Sequence, residues 1–376
     1  MQKVKVEKWG GIEVSRLGYG CMRLPMVDGE IDKELSEKMI DTAYLNGVNY
    51  FDTAYVYLNG KSEIFVGQAL KKYPRDSYYI ATKLPTWMVS EEKDVHHILE
   101  EQLNKLDMDY VDFYLIHGVT ATRLEMMRKY DIYEKCLELK KSGKIKFLGF
   151  SFHGSLDTLQ TVLDEYDWDF VLVQINYTDW DMIGAKNFYH LLEEKGVPSI
   201  IMEPVRGGFL ANPPDEVKDL MAAEDPSVSP AGWALRWCMD LDNAPVILSG
   251  MSEQGQVDEN LKIFEKERKL SDSEKAMFEK AVNCFKKVNA VGCTYCGYCM
   301  DCPHGVDIPG IFRIYNIHQI FKNNFRASSD YNDFMVRGRG FDKCTKCDVC
   351  AKQCPQNIAI SEKLEELHEF LLKVND

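Results

Sequence analysis

Asn49-Tyr50-Phe51-Asp52-Thr53-Ala54-Tyr55-Val56-Tyr57, followed by Asn59-Gly60-Lys61-Ser62-Glu63, is the stretch from which the rest of the chain can be read. Tyr50 to Ala54 is short and apolar enough for a buried strand, and Lys61 to Tyr73 carries apolar residues at helical spacing. Asp52 and Tyr57 therefore fall where a strand exits into a loop. A buried carboxylate and phenol are poor core fillers unless partnered. Two further polar residues end strands of their own: Lys83 in Ile80-Ala81-Thr82-Lys83 and His117 in Leu115-Ile116-His117-Gly118. Adjacent parallel strands lie about 4.8 Å apart, so groups at the carboxyl ends of consecutive strands can meet in one pocket.

The same unit recurs outward from this stretch. Leu17 to Met22 reads as a first strand, and later ones are expected at Tyr78–Lys83, Val111–His117, Phe147–Phe152, Phe170–Asn176, Ser199–Pro204 and Ala244–Gly250. Helical periodicity separates them. Ahead of the first strand, Val4–Trp9 and Ile12–Leu17 alternate about Gly10-Gly11, which predicts a β-hairpin plugging the bottom of a barrel. An open doubly wound sheet competes, but Gly18-Tyr19-Gly20-Cys21-Met22-Arg23 lacks the third glycine of a dinucleotide turn. The expected architecture is α/β: a (β/α)8 TIM barrel over residues 1–285, followed by a small, mainly helical ferredoxin-like domain over 286–376.

The 376 residues are 45% hydrophobic and 28% charged, with a net charge of −14, which suits a folded soluble protein and disfavours nucleic acid as a partner. From Lys286 onward there are 12 Lys+Arg against 11 Asp+Glu, leaving 33 against 48 before it, so the acidity belongs to the barrel. No signal peptide and no long apolar run is evident, and a cytoplasmic location is expected. Of 12 Cys, Cys21, Cys136, Cys238 and Cys284 are scattered, and eight form two tail clusters. Without a secretory signal, such clusters indicate metal ligation before disulfides.

Asp52, Tyr57, Lys83 and His117, in that order at strand ends, resemble the tetrad of the aldo-keto reductase family over the first three quarters of the chain. The resemblance implies reduction of a small carbonyl compound, or oxidation of an alcohol, with NADP or NAD. Tyr57 is the expected proton donor, Lys83 would lower its pKa, Asp52 would hold Lys83, and His117 would orient the carbonyl oxygen. Leu58-Asn59 before Gly60 is a small departure in loop length.

By the same resemblance Ser151 and Gln174 would hold the nicotinamide carboxamide, with Phe152 in place of the usual Asn and Met202 in place of the stacking aromatic. Ser249, Gly250, Ser252, Gln256, Glu259 and Asn260 match the adenosine-phosphate segment, but its two usual basic residues fall on Gly250 and Gln256. That weakens NADPH selectivity, since a 2′-phosphate is best held by Lys or Arg, and favours NADH or loose discrimination. Arg206, in Arg206-Gly207-Gly208, stands where this fold binds phosphate.

The tail carries Cys293-x2-Cys296-x2-Cys299-x2-Cys302-Pro303 and Cys344-x2-Cys347-x2-Cys350-x3-Cys354-Pro355. Three thiolates at two-residue gaps suit one cubane, with the fourth Cys before Pro serving the other cluster. Two [4Fe-4S] clusters are expected, on Cys293, Cys296, Cys299 with Cys354 and on Cys344, Cys347, Cys350 with Cys302. Zinc fits less well, because the eight Cys do not divide into paired ligands. The combination resembles a bacterial iron–sulfur subgroup of the family. A hydride carries two electrons and a cluster accepts one, so a flavin in the barrel, a flavin on a partner, or structural or sensing clusters all stay open. A redox sensor or electron carrier with an inactive barrel is the alternative. A ferredoxin or flavodoxin could approach the neutral tail at Arg337-Gly338-Arg339-Gly340.

Overall fold

Eight parallel strands close on themselves in sequence order: β1 (Leu17–Gly20), β2 (Tyr50–Asp52), β3 (Tyr79–Leu84), β4 (Val111–Val119), β5 (Ile145–Phe152), β6 (Phe170–Gln174), β7 (Ser199–Met202) and β8 (Val246–Gly250). β8 pairs back onto β1, Ile247 opposite Leu17, which removes both sheet edges. The computed structural model describes residues 1–154, 156–182, 184–266, 268–287, 291–293, 297–322, 324–354 and 356–374. Among the described residues no helix is long and apolar enough to cross a membrane.

The expected hairpin is present as Lys3–Val6 paired antiparallel with Ile12–Ser15. Its Trp9 is fully buried, meets Phe113 edge-on at 4.9 Å between centroids, and donates Nε1–H to the Asp169 carbonyl at 2.9 Å. Trp9, Val14, Tyr50, Phe113, Leu115, Phe170, Ile200 and Val246 fill the inside of the barrel. A second apolar layer lies between strands and outer helices. In that layer Gly67 lets the Lys61–Leu70 helix approach Lys93–Leu106 closely, since a Cβ there would stand 2.2 Å from the Leu106 carbonyl oxygen.

The chain divides into two units, 1–180 with 184–207 and 231–270, and 181–183 with 208–230 and 271–376. The first holds the barrel. In the second, helices Ile308–Phe321, Asn324–Val336 and Ile360–Lys373 surround a core of Ile308, Ile311, Phe312, Tyr331, Leu364, Leu367 and Leu371. Asp307 caps the first of them by accepting from Gly310 N at 3.0 Å, with Pro309 in the opening turn where a missing N–H costs nothing. Buried Asn316 bonds both backbone groups of Val291, at 3.0 Å and 2.9 Å, and so ties the segment leading to Cys293 to that helix.

Candidate functional site

Three neighbouring strands set the pocket. Gly20, Asp52 and Ala81 stand in register across β1, β2 and β3, and Lys83 lies opposite Leu115 on β4. Lys83, only 1% exposed, donates to Asp52 Oδ1 at 2.6 Å and to the Thr53 carbonyl at 2.7 Å, and its Nζ lies 4.7 Å from the centroid of the Tyr57 ring. The rings of Tyr57 and His117 meet edge-on at 6.4 Å. All four sequence-selected residues are therefore together at one end of the barrel.

Local backbone explains how each arrives. After β2, Tyr57 N bonds the Ala54 carbonyl, and Leu58, Asn59 and Gly60 all take positive φ, so the two extra residues form a left-handed turn into the next helix. Ser62 secures that helix start, bonding Thr53 Oγ1 at 2.8 Å and the Cys21 carbonyl at 2.9 Å. On β4 the register with β5 shifts between Ile116 and Val119, an irregularity that contains His117. Gly118 in the same stretch has φ +66° and donates its N–H to Ser151 Oγ at 2.7 Å.

Burial and charge oppose each other here. Burial pulls the Lys83 ammonium down, but Asp52 and Tyr57 outweigh it and leave it raised; burial likewise raises the Asp52 carboxyl against the pull of Lys83. For Tyr57 the sequence leads one to expect a lowered phenol. Instead burial exceeds the effect of Lys83, and the phenol stands above its ordinary value. His117 is pushed down to about 3 by burial and then by Lys83, His153 and Arg123, which keeps it neutral. Asp52 Oδ2 and His117 Nδ1 are buried polar atoms with no partner.

The expected nucleotide residues lie at the exits of β5 to β8. Gln174 is in register with Met202, but its amide donates to buried Asp179 Oδ2 at 2.7 Å, and Arg206 Nε pairs with Asp179 Oδ1 at 3.0 Å. The Arg206 charge is already partnered. Asn260 donates to Ser249 Oγ at 3.0 Å, and Gln256 accepts from Ser252 N at 2.9 Å, while Glu259 is half-exposed. Exposed Arg23, which no sequence motif marks, reaches the same place. A Cβ on Gly250 would stand 3.2 Å from its Cδ, and one on Gly207 would stand 3.4 Å from its Nη2 and 3.2 Å from Glu203 Oε2. The two glycines leave a cradle with a guanidinium beside it. Trp87 and Arg123, near His117, are likewise unmarked by a motif; that both follow a selected strand is the available signal.

In the second unit Cys302, Cys344, Cys347 and Cys350 line one recess with His304, Val306, Ile308, Asp348, Ser361 and Leu364. The donor set is the expected second group of four. Cys344 Sγ accepts from Lys346 N at 3.4 Å, and Thr345 Oγ1 bonds His304 Nε2 at 2.9 Å across the recess. Among the described residues no three His, Cys, Asp or Glu converge on a site for a single metal ion. Cys293, Cys299 and Cys354 all border the apolar core; Cys296 lies outside the described residues.

Two families match the chain in succession. The family described as "Aldo/keto reductase family" matches residues 16–283, and a "4Fe-4S dicluster domain" matches 292–359. "Probable aldo-keto reductase 1" of Glycine max is 33% identical over 53% of this chain and 58% of its own length. "L-galactose dehydrogenase" of Arabidopsis thaliana is 27% identical over 69% of this chain and 88% of its own. The solved structure of an aldo-keto reductase from Bacillus halodurans in its holo form is similar with a TM-score of 0.64 and 25% identity, covering 75% of this chain and 96% of that one.

Proposed function

Because the chain belongs to the aldo/keto reductase family and ends in a 4Fe-4S dicluster domain, we propose that its barrel reduces a small carbonyl compound, or oxidises the alcohol, at Asp52, Tyr57, Lys83 and His117. The observation that carries this reading is Lys83, buried between the Asp52 carboxylate and the face of Tyr57. Bound nicotinamide would supply hydride to the carbonyl carbon. As negative charge grows on the carbonyl oxygen, Tyr57 gives it a proton. Lys83 steadies the resulting phenolate, Asp52 holds Lys83 in place, and neutral His117 donates a hydrogen bond to the same oxygen. The alcohol leaves, and Tyr57 is reprotonated from solvent.

The cradle of Gly207 and Gly250 beside Arg23 fits the cofactor's phosphates. Arg23 is better placed for this than Arg206, whose guanidinium is tied to Asp179. Ser151 and Gln174 would face the carboxamide; the Ser151 hydroxyl keeps a free donor, and the Gln174 carbonyl an acceptor. Gly250 and Gln256 themselves carry no charge for a 2′-phosphate, which favours NADH or loose discrimination between the two cofactors.

The thiols fit two [4Fe-4S] clusters, one on Cys302, Cys344, Cys347 and Cys350 and the other on Cys293, Cys296, Cys299 and Cys354. Their one-electron chemistry would serve a carrier of ferredoxin or flavodoxin type near exposed Arg337 and Arg339, with a flavin needed wherever hydride and clusters exchange electrons.

Steady-state reduction by the anaerobically prepared full chain tests the barrel reading. Tyr57→Phe should retain cofactor binding and lose turnover by at least about a hundredfold, the usual contribution of a general acid. Turnover equal to the parent would refute the assignment.

A further inference from the structure

We propose that the mouth beside His117 selects a carbonyl substrate bearing a carboxylate, with Arg123 as the ion-pair partner of that carboxylate and Trp87 as the floor for the carbon chain between them. The proposal rests on the carbonyl-reductase reading and adds the class of substrate. Arg123 is fixed in place: its Nη1 donates to the Gly118 carbonyl at 2.6 Å, and its guanidinium carbon lies 4.7 Å from the centroid of the Trp87 ring. That indole is 44% exposed and stands 5.2 Å from the His117 ring, so it reaches from the reacting centre to the guanidinium. Gly118 makes room for the arrangement, because a Cβ there would fall 2.2 Å from Arg123 Nη1.

Among the described residues this arginine has no carboxylate partner. Five residues along the same helix, Arg128 pairs with both Glu125 and Glu165, the ordinary fate of a cation in a chain of net charge −14. Among the described residues no Asp or Glu bridges Arg123, and its side chain bonds only the Gly118 carbonyl, leaving most of its five N–H donors unused. Burial pulls its guanidinium down, and the nearest titratable neighbours, His117 and His153, are held neutral, partly by Arg123 itself. A half-buried cation with no counter-ion is costly. An arriving carboxylate removes that cost and can take a paired, charge-assisted hydrogen bond.

The test separates binding from turnover. With the anaerobically prepared full chain, binding of redox-inert aliphatic carboxylates and their methyl esters is measured by calorimetry for the parent, Arg123→Gln and Arg123→Lys. The parent should bind the acid about tenfold or more tighter than the ester, as one charge-assisted contact predicts. Arg123→Gln should bring the two near equality, Arg123→Lys should keep part of the preference, and added salt should weaken only the acid. Equal affinity for acid and ester in the parent, or a preference untouched in Arg123→Gln, overturns the proposal. If Arg123→Gln does not fold, Arg123→Lys and the salt series decide it, and a salt-independent parent preference counts against the site. Turnover is then followed for ω-oxo carboxylates and their esters. Absent turnover with intact acid preference would sink the reductase reading and leave the anion site standing.

Discussion

Lys83 shows how a few ångströms decide chemistry. Its ammonium is held at 2.6 Å from Asp52 and lies under the Tyr57 ring, yet burial still leaves the phenol above its ordinary value and His117 neutral down to about 3. A phenol raised above its ordinary value keeps its proton throughout the neutral range, the state that the proposed role of Tyr57 as proton donor requires. We expect kcat/KM for reduction to stay flat from about pH 5 to about pH 8 and to fall only on the alkaline side. An acid limb near pH 6.5 that disappears in His117→Asn would show that the imidazole titrates in the working range. The four residues proposed to react were legible because each lies at, or just beyond, the end of an apolar run. Arg23, Trp87 and Arg123 were not, because each lies in a loop, turn or short helix beyond its strand, where no apolar periodicity marks it. The raised phenol was equally hidden, since the degree of burial is a tertiary property.

A buried network between elements holds Lys83 from behind. Gln102, on the Lys93–Leu106 helix, donates to the Lys83 carbonyl at 3.0 Å and to Glu63 Oε1 at 2.8 Å, and it accepts from Tyr114 OH at 2.9 Å; Thr82 donates to the same Glu63 oxygen at 2.6 Å. Replacing Gln102 with Leu removes the shared partner and leaves buried polar groups stranded. Denaturant unfolding should report a loss of about 1–3 kcal/mol; an unchanged midpoint would mean that the network relaxes without cost. At this scale the strands and hairpin were readable from alternation and turn residues. Helices Ala121–Lys129 and Asp215–Glu224 escaped notice, being short and thinly apolar. The β4 irregularity escaped because register belongs to a pair of strands.

The whole molecule joins an aldo/keto reductase barrel to a 4Fe-4S dicluster domain, and the Cys spacing announced the second as plainly as the strand ends announced the first. Anaerobic preparation should yield about eight iron and eight labile sulfide per chain. Cys302→Ala should damage the cluster of Cys344, Cys347 and Cys350, with which it shares a recess. Loss confined to the other cluster would overturn the crossed ligation. The crossed pairing was expected from the spacing of the two motifs alone, although two helices separate Cys302 from its partners. The central claim is that hydride reaches a carbonyl at the Tyr57 pocket, and isotope transfer tests it most directly. A nicotinamide cofactor deuterated at the transferable position is supplied to the parent and to Tyr57→Phe with a ω-oxo carboxylate, and the alcohol is analysed by mass spectrometry. The account predicts one deuterium at the carbinol carbon in the parent and at least about a hundredfold less labelled product in the variant. Unlabelled alcohol from the parent, or equal labelling rates in both proteins, would contradict it.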